Sequence, residues 1–389
     1  MHIVHSITDM NLSSGGTVRA IIDVSSKLAD RGHSVTILTY EDSGVPAEWR
    51  DNPESNPRTV TLGEAQSGGM RATTQQQDLI AKTIAQADIV HAHAIWEPLT
   101  KRVSKAARSA GVPYIVSLHG MLDDWCIDQR KLKKLAYLKL GGTAMLNKAA
   151  AIQCNAEGEL AQSEKWFSGP PGIVIPNLLN LEPYETMPGE ELARSKFPMF
   201  DTGDPVLLFL SRIHYKKGIE HLIEAIKVLK DSGNPHRLLI AGDGDKVYES
   251  KLKALVKKLD LEDHIAFLGM VTGDAKISLY QAADLFVLST SQENFGFVLY
   301  ESLAAGTPIV TTKGVDTWPE LQERAQAVIC DQTKDAFASA IQELTSDLPA
   351  LNERGRLGRQ WIFEEMHPDQ IIGQFESMYS AATRHDKGK

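Results

Sequence analysis

What most limits the folds open to this chain is a rhythm of short apolar runs. Each is bounded by Gly, Pro or small polar residues and separated from the next by a helical stretch. Runs this short, flanked in this way, read as buried strands. Strand and helix in alternation predict a parallel, doubly wound sheet, because each helix carries the chain back to start a parallel neighbour. In the first half the strands fall at 2–7, 35–40, 89–94, 114–118, 150–154 and 173–175, with helices at about 17–31 and 99–110. The pattern then restarts, with strands at 206–210, 238–241, 265–268, 285–288, 309–311 and 327–329 and a helix at about 219–232. Residues 42–74 are rich in Gly, Pro, Ser and Asn and read as an irregular excursion. Residues 182–204 are Pro- and acid-rich without a strand signal, and read as the connection between two domains. The expected fold class is α/β, with two Rossmann-like parallel-sheet domains and a cleft between them.

Composition narrows the function classes. A chain of 389 residues accommodates two ordinary domains. Hydrophobic content of 42% and charged content of 23% are those of a soluble globular protein. A net charge of −9 argues against general nucleic-acid binding. Cys126, Cys154 and Cys330 lack metal-ligand spacing and form no disulfide framework, which suits a reducing compartment. No apolar stretch is long enough to span a bilayer, and the first residues lack the basic flank and apolar core of a signal peptide. The expected location is cytoplasmic. Residues 130–139, RKLKKLAYLK, could rest on an anionic membrane surface or a phosphorylated acceptor, although a charge run is more often a solvated helix face.

Chemistry concentrates where strands end, since open α/β sheets bind ligands beyond their carboxyl edge. The stretch 289–312, STSQENFGFVLYESLAAGTPIVTT, holds a polar loop, a helix at 297–305 closed by Gly306 and Pro308, and a further strand. Glu293 and Glu301 frame it, and carboxylates accept strong hydrogen bonds from sugar hydroxyls. The helix start offers backbone N–H groups to a phosphate. After the strand at 206–210, Arg212 and Lys217 bracket a turn into a helix. Two cations and a helix start suit a diphosphate and the charge that develops on it as a leaving group. Gly15 and Gly16 follow the first strand and free the backbone for an anion, without forming the dinucleotide fingerprint. His119 ends the strand at 114–118 and faces a ligand or serves its own loop. His91 and His93 lie on one face of their strand. That spacing suits a metal, but no third ligand presents itself, so packing or an acceptor-side role is expected.

The segment Glu293, Phe295-Gly296, Glu301, Ala304-Ala305-Gly306-Thr307-Pro308 resembles the donor-site signature of the retaining glycosyltransferase family four, which has the GT-B fold. Asn294 stands where glycine is commonest. The resemblance covers nearly the whole chain and is nearest the subgroup that assembles polysaccharides and lipid-linked sugars. It implies an N-terminal acceptor-binding domain of residues 1–182 plus about 370–389, and a C-terminal donor-binding domain of residues 183–369. Late apolar residues, Ile371, Ile372, Phe375, Met378 and Tyr379, would return to the first domain beyond a break at Pro368.

The resemblance implies a role for each matched residue. Glu293, His119, Arg212 and Lys217 would be catalytic, with Glu293 and His119 on the donor sugar. Gly15, Gly16, Arg212, Lys217, Asn294, Phe295 and Gly296 would hold the donor phosphates. Gly242, Gly244, Gly269, Met270, Val271 and Glu301 would hold the nucleotide, with Glu301 on the ribose. The segment 314–320, with Trp318, resembles a subgroup segment of undefined role. The implied reaction moves a sugar from a nucleotide sugar, UDP-linked by default, to a saccharide or lipid-linked hydroxyl with retention of configuration. No metal or other cofactor is expected, because no Asp-x-Asp motif stands in a suitable place. Partners would be the nucleotide sugar and the acceptor, with no nucleic acid; peripheral contact with the inner membrane face is a further option. The rival readings are a non-hydrolysing sugar-nucleotide epimerase of the same fold and a non-catalytic nucleotide-sugar binding module. A Rossmann oxidoreductase is disfavoured by the missing G-x-G-x-x-G.

Overall fold

The computed structural model describes residues 1–12, 16–65 and 71–386. The chain divides into two compact units. One is Met1–Leu178 with Pro368–Lys389, the other Leu179–His367.

The first unit is built on seven parallel strands: β1 (His2–Ser6), β2 (Ser34–Thr39), β3 (Arg58–Thr61), β4 (Ile89–His93), β5 (Tyr114–Ser117), β6 (Ala151–Cys154) and β7 (Gly172–Val174). Their order across the sheet is β3-β2-β1-β4-β5-β6-β7. The order reverses between β1 and β4, and the loops leaving those strands flank the switch point where such sheets bind ligands. Successive side chains point to opposite faces of the sheet. Val4, Leu38, Val90, Val116 and Ile152 therefore share one apolar core. His5, His91 and His93 alternate with them and face the other way, toward the helices Gly16–Asp30 and Pro368–Asp386. In the second helix Ile371, Ile372, Phe375, Met378 and Tyr379 are all buried.

The second unit has six parallel strands: β8 (Val206–Leu210), β9 (Arg237–Ala241), β10 (Ile265–Gly269), β11 (Leu285–Leu288), β12 (Ile309–Thr312) and β13 (Val328–Cys330). The order β10-β9-β8-β11-β12-β13 places a second switch point between β8 and β11. Both strands are almost wholly buried apolar runs, as expected of a parallel sheet covered on both faces.

Two readings need correction. The excursion 42–74 contains an edge strand, β3, paired with β2 from Thr36↔Arg58 to Thr39↔Thr61. Its sequence RTVT is short, polar and half-buried, so it carries almost no apolar signal. Residues 182–204 are not a bare connection. The short helix Glu191–Lys196 packs on the helix Gly273–Ala282, where the Ala193 amide donates to Ser278 Oγ at 2.9 Å. Tyr184, Ala193 and Phe200 are buried there, so the segment belongs to the second unit's core. Among the described residues no helix is long and apolar enough to cross a membrane.

Candidate functional site

The loops leaving β8 and β11 meet at the second unit's switch point. Ser289 Oγ donates to the carbonyls of Lys217 and Gly218 at 2.8 and 2.9 Å, and the Ser291 amide donates to Lys216 O at 2.8 Å. These bonds hold the two loops side by side. Lys217 is buried, and its ammonium forms an ion pair with the Glu293 carboxylate. Lys216 turns the other way and donates to Gln292 at 2.8 Å. The glycine after Lys217 explains the choice between the two lysines. Gly218 has φ +57° and starts the helix Ile219–Asp231, which turns Lys217 inward. Arg212 is exposed on the same loop, and no hydrogen bond or ion pair of its side chain is seen among the described residues.

Two helices begin here without a side-chain cap: Ile219–Asp231 after Gly218, and Phe297–Ala305 after Gly296 at φ +73°. First-turn N–H groups that no side chain satisfies suit an anion. The side chain of Phe295 is not part of the site. It is buried and stacks on Tyr300 at 4.2 Å, leaving only its backbone for a ligand. Asn294 donates to Asp316 at 3.1 Å, and the Asp316 amide donates to Glu293 O at 2.9 Å. Glu293 is thus fixed from two sides, by Lys217 and by the 314–316 turn.

Gly242 and Gly244 have a structural reason to be glycines. A Cβ at Gly242 would lie 1.9 Å from Ser211 O, and one at Gly244 2.2 Å from Ile213 O. The 242–244 turn therefore runs against the Arg212 loop and sets its path. Gly269, at φ +68°, accepts at its carbonyl from the Gly242 amide at 2.7 Å, beside an exposed Met270 and a buried Val271. Glu301 accepts from Lys276 at 2.7 Å and from the Tyr280 hydroxyl at 3.1 Å. Neither partner was singled out from the sequence. Lys276 lies on a helix without periodic charge, and only the fold brings it to Glu301.

In the first unit Gly16 is the exposed first residue of the helix Gly16–Asp30, and Gly15 lies outside the described residues. Glu97, at the β4 switch-point loop, accepts from the Thr8 amide at 3.0 Å, and burial raises its carboxyl above the usual range. It was missed because a lone Glu before Pro98 reads as a helix start. His119 sits at φ +52°, a region that disfavours side chains. Such strain concentrates where function holds a residue in place. The Gly120 amide that follows donates to buried Glu159. His119 Nε2 lies 2.9 Å from His93 Nδ1, and His93 Nε2 lies 2.9 Å from His5 Nδ1. So a third histidine does present itself beside His91 and His93. His5 is paired directly with His91 in the β1–β4 register. Ring nitrogens of His5, His91 and His93 lie within 4.8 Å of one another.

Residues 14–183 match the model of Glycosyltransferase Family 4, and residues 193–361 that of Glycosyl transferases group 1. The N-acetyl-alpha-D-glucosaminyl L-malate synthase of Bacillus anthracis is 24% identical, over 96% of this chain and 96% of its own length. The 2-deoxystreptamine glucosyltransferase of Streptomyces kanamyceticus is 26% identical, over 91% of this chain and 95% of its own. The crystal structure of Anabaena Alr3699/HepE in complex with UDP superposes with a TM-score of 0.81 at 18% identity, covering 98% of this chain and 100% of that one. Two doubly wound parallel-sheet units of this order are the GT-B fold. The chain belongs to the group 1 glycosyl transferases, within glycosyltransferase family four.

Proposed function

We propose that this glycosyltransferase takes its sugar from a nucleoside-diphosphate sugar, with UDP as the nucleotide, and passes it to a hydroxyl acceptor with retention of configuration. The observation that carries this reading is the buried Lys217 ammonium, held by Glu293 between the β8 and β11 loops, with exposed Arg212 on the same loop. Solved structures of HepE with UDP and with UDP-glucose, at 18% identity, support UDP as the nucleotide to try first.

As the bond from the anomeric carbon to the diphosphate breaks, negative charge grows on the leaving oxygen. Lys217, Arg212 and the N–H groups that start the helix Phe297–Ala305 neutralise it without rearranging, which is how preorganised charge lowers a barrier. Lys217 has three N–H donors. One serves Glu293, and the others are left for phosphate. Two protein cations take the role a divalent metal would otherwise fill. Glu293 accepts from a sugar hydroxyl and Glu301 from the ribose. The acceptor oxygen attacks from the leaving-group side, and its proton passes to a phosphate oxygen. A retaining glycosidase would need two carboxyls about 5 Å apart around the anomeric carbon. Here Glu293 and Glu301 are each tied to a cation of their own.

The two glutamates separate in a direct test. Glu301→Gln should weaken UDP binding roughly tenfold in calorimetry, the usual size of one charge-assisted hydrogen bond. Glu293→Gln should bind UDP within a few-fold of the parent and lose most turnover of UDP-glucose. Equal losses of UDP affinity in both variants would overturn the assignment.

A further inference from the structure

In the polar core of the first unit the hydrogen-bond partners set the tautomers of the histidines. Gln153 Nε2 lies 2.9 Å from Cys154 O and 2.8 Å from Ile175 O. Backbone carbonyls only accept, so this end of Gln153 is the NH2 group and its Oε1 faces Ser117. The same NH2 faces Asn155 Oδ1 at 3.1 Å, which leaves Asn155 Nδ2 toward His119 Nδ1 at 3.2 Å. An amide nitrogen only donates, so His119 Nδ1 accepts and the ring proton sits on Nε2. That proton points at His93 Nδ1, which must accept, so His93 carries its own proton on Nε2. His93 in turn donates to His5 Nδ1, and the chain ends at His5 Nε2, a buried donor with no protein partner among the described residues.

A second branch obeys the same polarity. Ser117 donates to Gln153 Oε1 and therefore accepts from His91 Nε2 at 2.6 Å, and Tyr379 donates to His91 Nδ1 at 2.8 Å. All four imidazoles are then neutral Nε2–H tautomers. Their rings touch, with His91 and His93 centroids 4.4 Å apart and His93 and His119 5.2 Å apart, so a proton on one would repel its neighbours. Burial supports the neutral state: it lowers His119 to about 4 and His5 to about 3. A metal at His5, His91 and His93 would have to displace this network. Each Nδ1 lone pair already accepts a hydrogen bond.

We propose that His93 and His5 are positioning residues that lock His119 as its Nε2–H tautomer, so that His119 offers a ligand hydroxyl the Nδ1 lone pair and acts as an acceptor. The exchangeable side is the Nδ1 side. Its bond to Asn155 is 3.2 Å long against 2.9 Å for the bond to His93. A sugar hydroxyl there gives its hydrogen to Nδ1 in place of the amide. The outward bond is thus the one to break, while the chain holds the ring plane and the inner proton. The proposal rests on the reading that His119 touches sugar.

The experiment is nitrogen-15 NMR on the full chain labelled in histidine, run with UDP-glucose turnover on the same samples. The parent protein should show His119 protonated on Nε2 only. His93→Leu removes the acceptor and should mix the two His119 tautomers, with kcat down roughly tenfold and KM for UDP-glucose within a few-fold. His93→Asn puts an amide oxygen near the lost Nδ1 and should restore both the tautomer and most of kcat. His5→Phe, at the far end of the chain, should give a weaker version of the His93→Leu result. A parent His119 protonated on Nδ1, or a His119 tautomer unmoved in His93→Leu, would overturn the lock. Zinc that shifts the His5, His91 and His93 signals together at micromolar concentration would overturn it in favour of a metal site. A tautomer that shifts while turnover stays at the parent level would uphold the lock and remove His119 from the sugar contacts.

Discussion

Arg212 and Lys217 look alike in the sequence and differ in the fold. Arg212 is exposed, while Lys217 is buried against Glu293. Arg212→Ala should leave thermal stability unchanged and weaken UDP binding roughly tenfold to a hundredfold, the loss of one or two charge-assisted bonds. Lys217→Ala should weaken UDP binding as much and also cost roughly 1–3 kcal/mol of stability, because it strands a carboxylate that is 30% exposed and so partly hydrated. Equal stability in the two variants would contradict this contrast. The histidines give a pH signature. Burial pushes His5 down to about 3 and His119 to about 4, and holds His91 and His93 well below their ordinary value of 6.5. Below that value the unfolded chain takes up protons that the folded chain does not. Stability from these groups is therefore complete above about pH 6.5 and falls as pH drops toward the folded values, by up to about 1.4 kcal/mol per unit for each histidine. Denaturant midpoints measured from pH 7.5 to pH 5 should fall steadily, and less so in His5→Phe. A flat profile would count against the neutral cluster.

The helix Phe297–Ala305 has the bounds that its sequence implies, since Gly296 and Gly306, both at positive φ, stop it at each end. The turn 242–244 is different. Its glycines match a family pattern, but their physical need is the 1.9 Å and 2.2 Å that a Cβ would leave to the loop beside them. Gly242→Ala should cost about 2–3 kcal/mol and also weaken UDP binding, by pushing the Arg212 loop out of place. Gly269→Ala also sits at positive φ, but its Cβ would meet open space. It should cost about 1 kcal/mol and leave that loop alone. Thermal melts and UDP calorimetry on both variants separate the two causes. Similar losses in both would mean that backbone conformation alone, and not the neighbouring loop, is responsible.

The helix Pro368–Asp386 belongs with the first unit although the second unit precedes it in the chain. Tyr379 reaches His91, and Glu376 pairs with Arg31 and His33. A chain ended at His367 should lose the cooperative unfolding of the first unit, because five buried apolar side chains leave the face of the sheet that holds the histidines. A first unit that still unfolds cooperatively in the shortened chain would contradict this. Strand positions, helix bounds and the placing of Arg212, Lys217 and Glu293 in loops that follow strands were legible in the linear chain. Each rests on a local signal: an apolar run, a glycine stop, a charge at the end of a strand. The edge strand β3, the packing of residues 182–204, the pairing of Glu301 with Lys276 and the third histidine beside His91 and His93 were not. Each of these joins residues that sequence separation keeps apart, by 25 positions for Lys276 and Glu301 and 88 for His5 and His93. Local propensity acts over a few residues. Contacts at that distance exist only once a parallel sheet has laid β1 against β4 and turned its alternate side chains to one face.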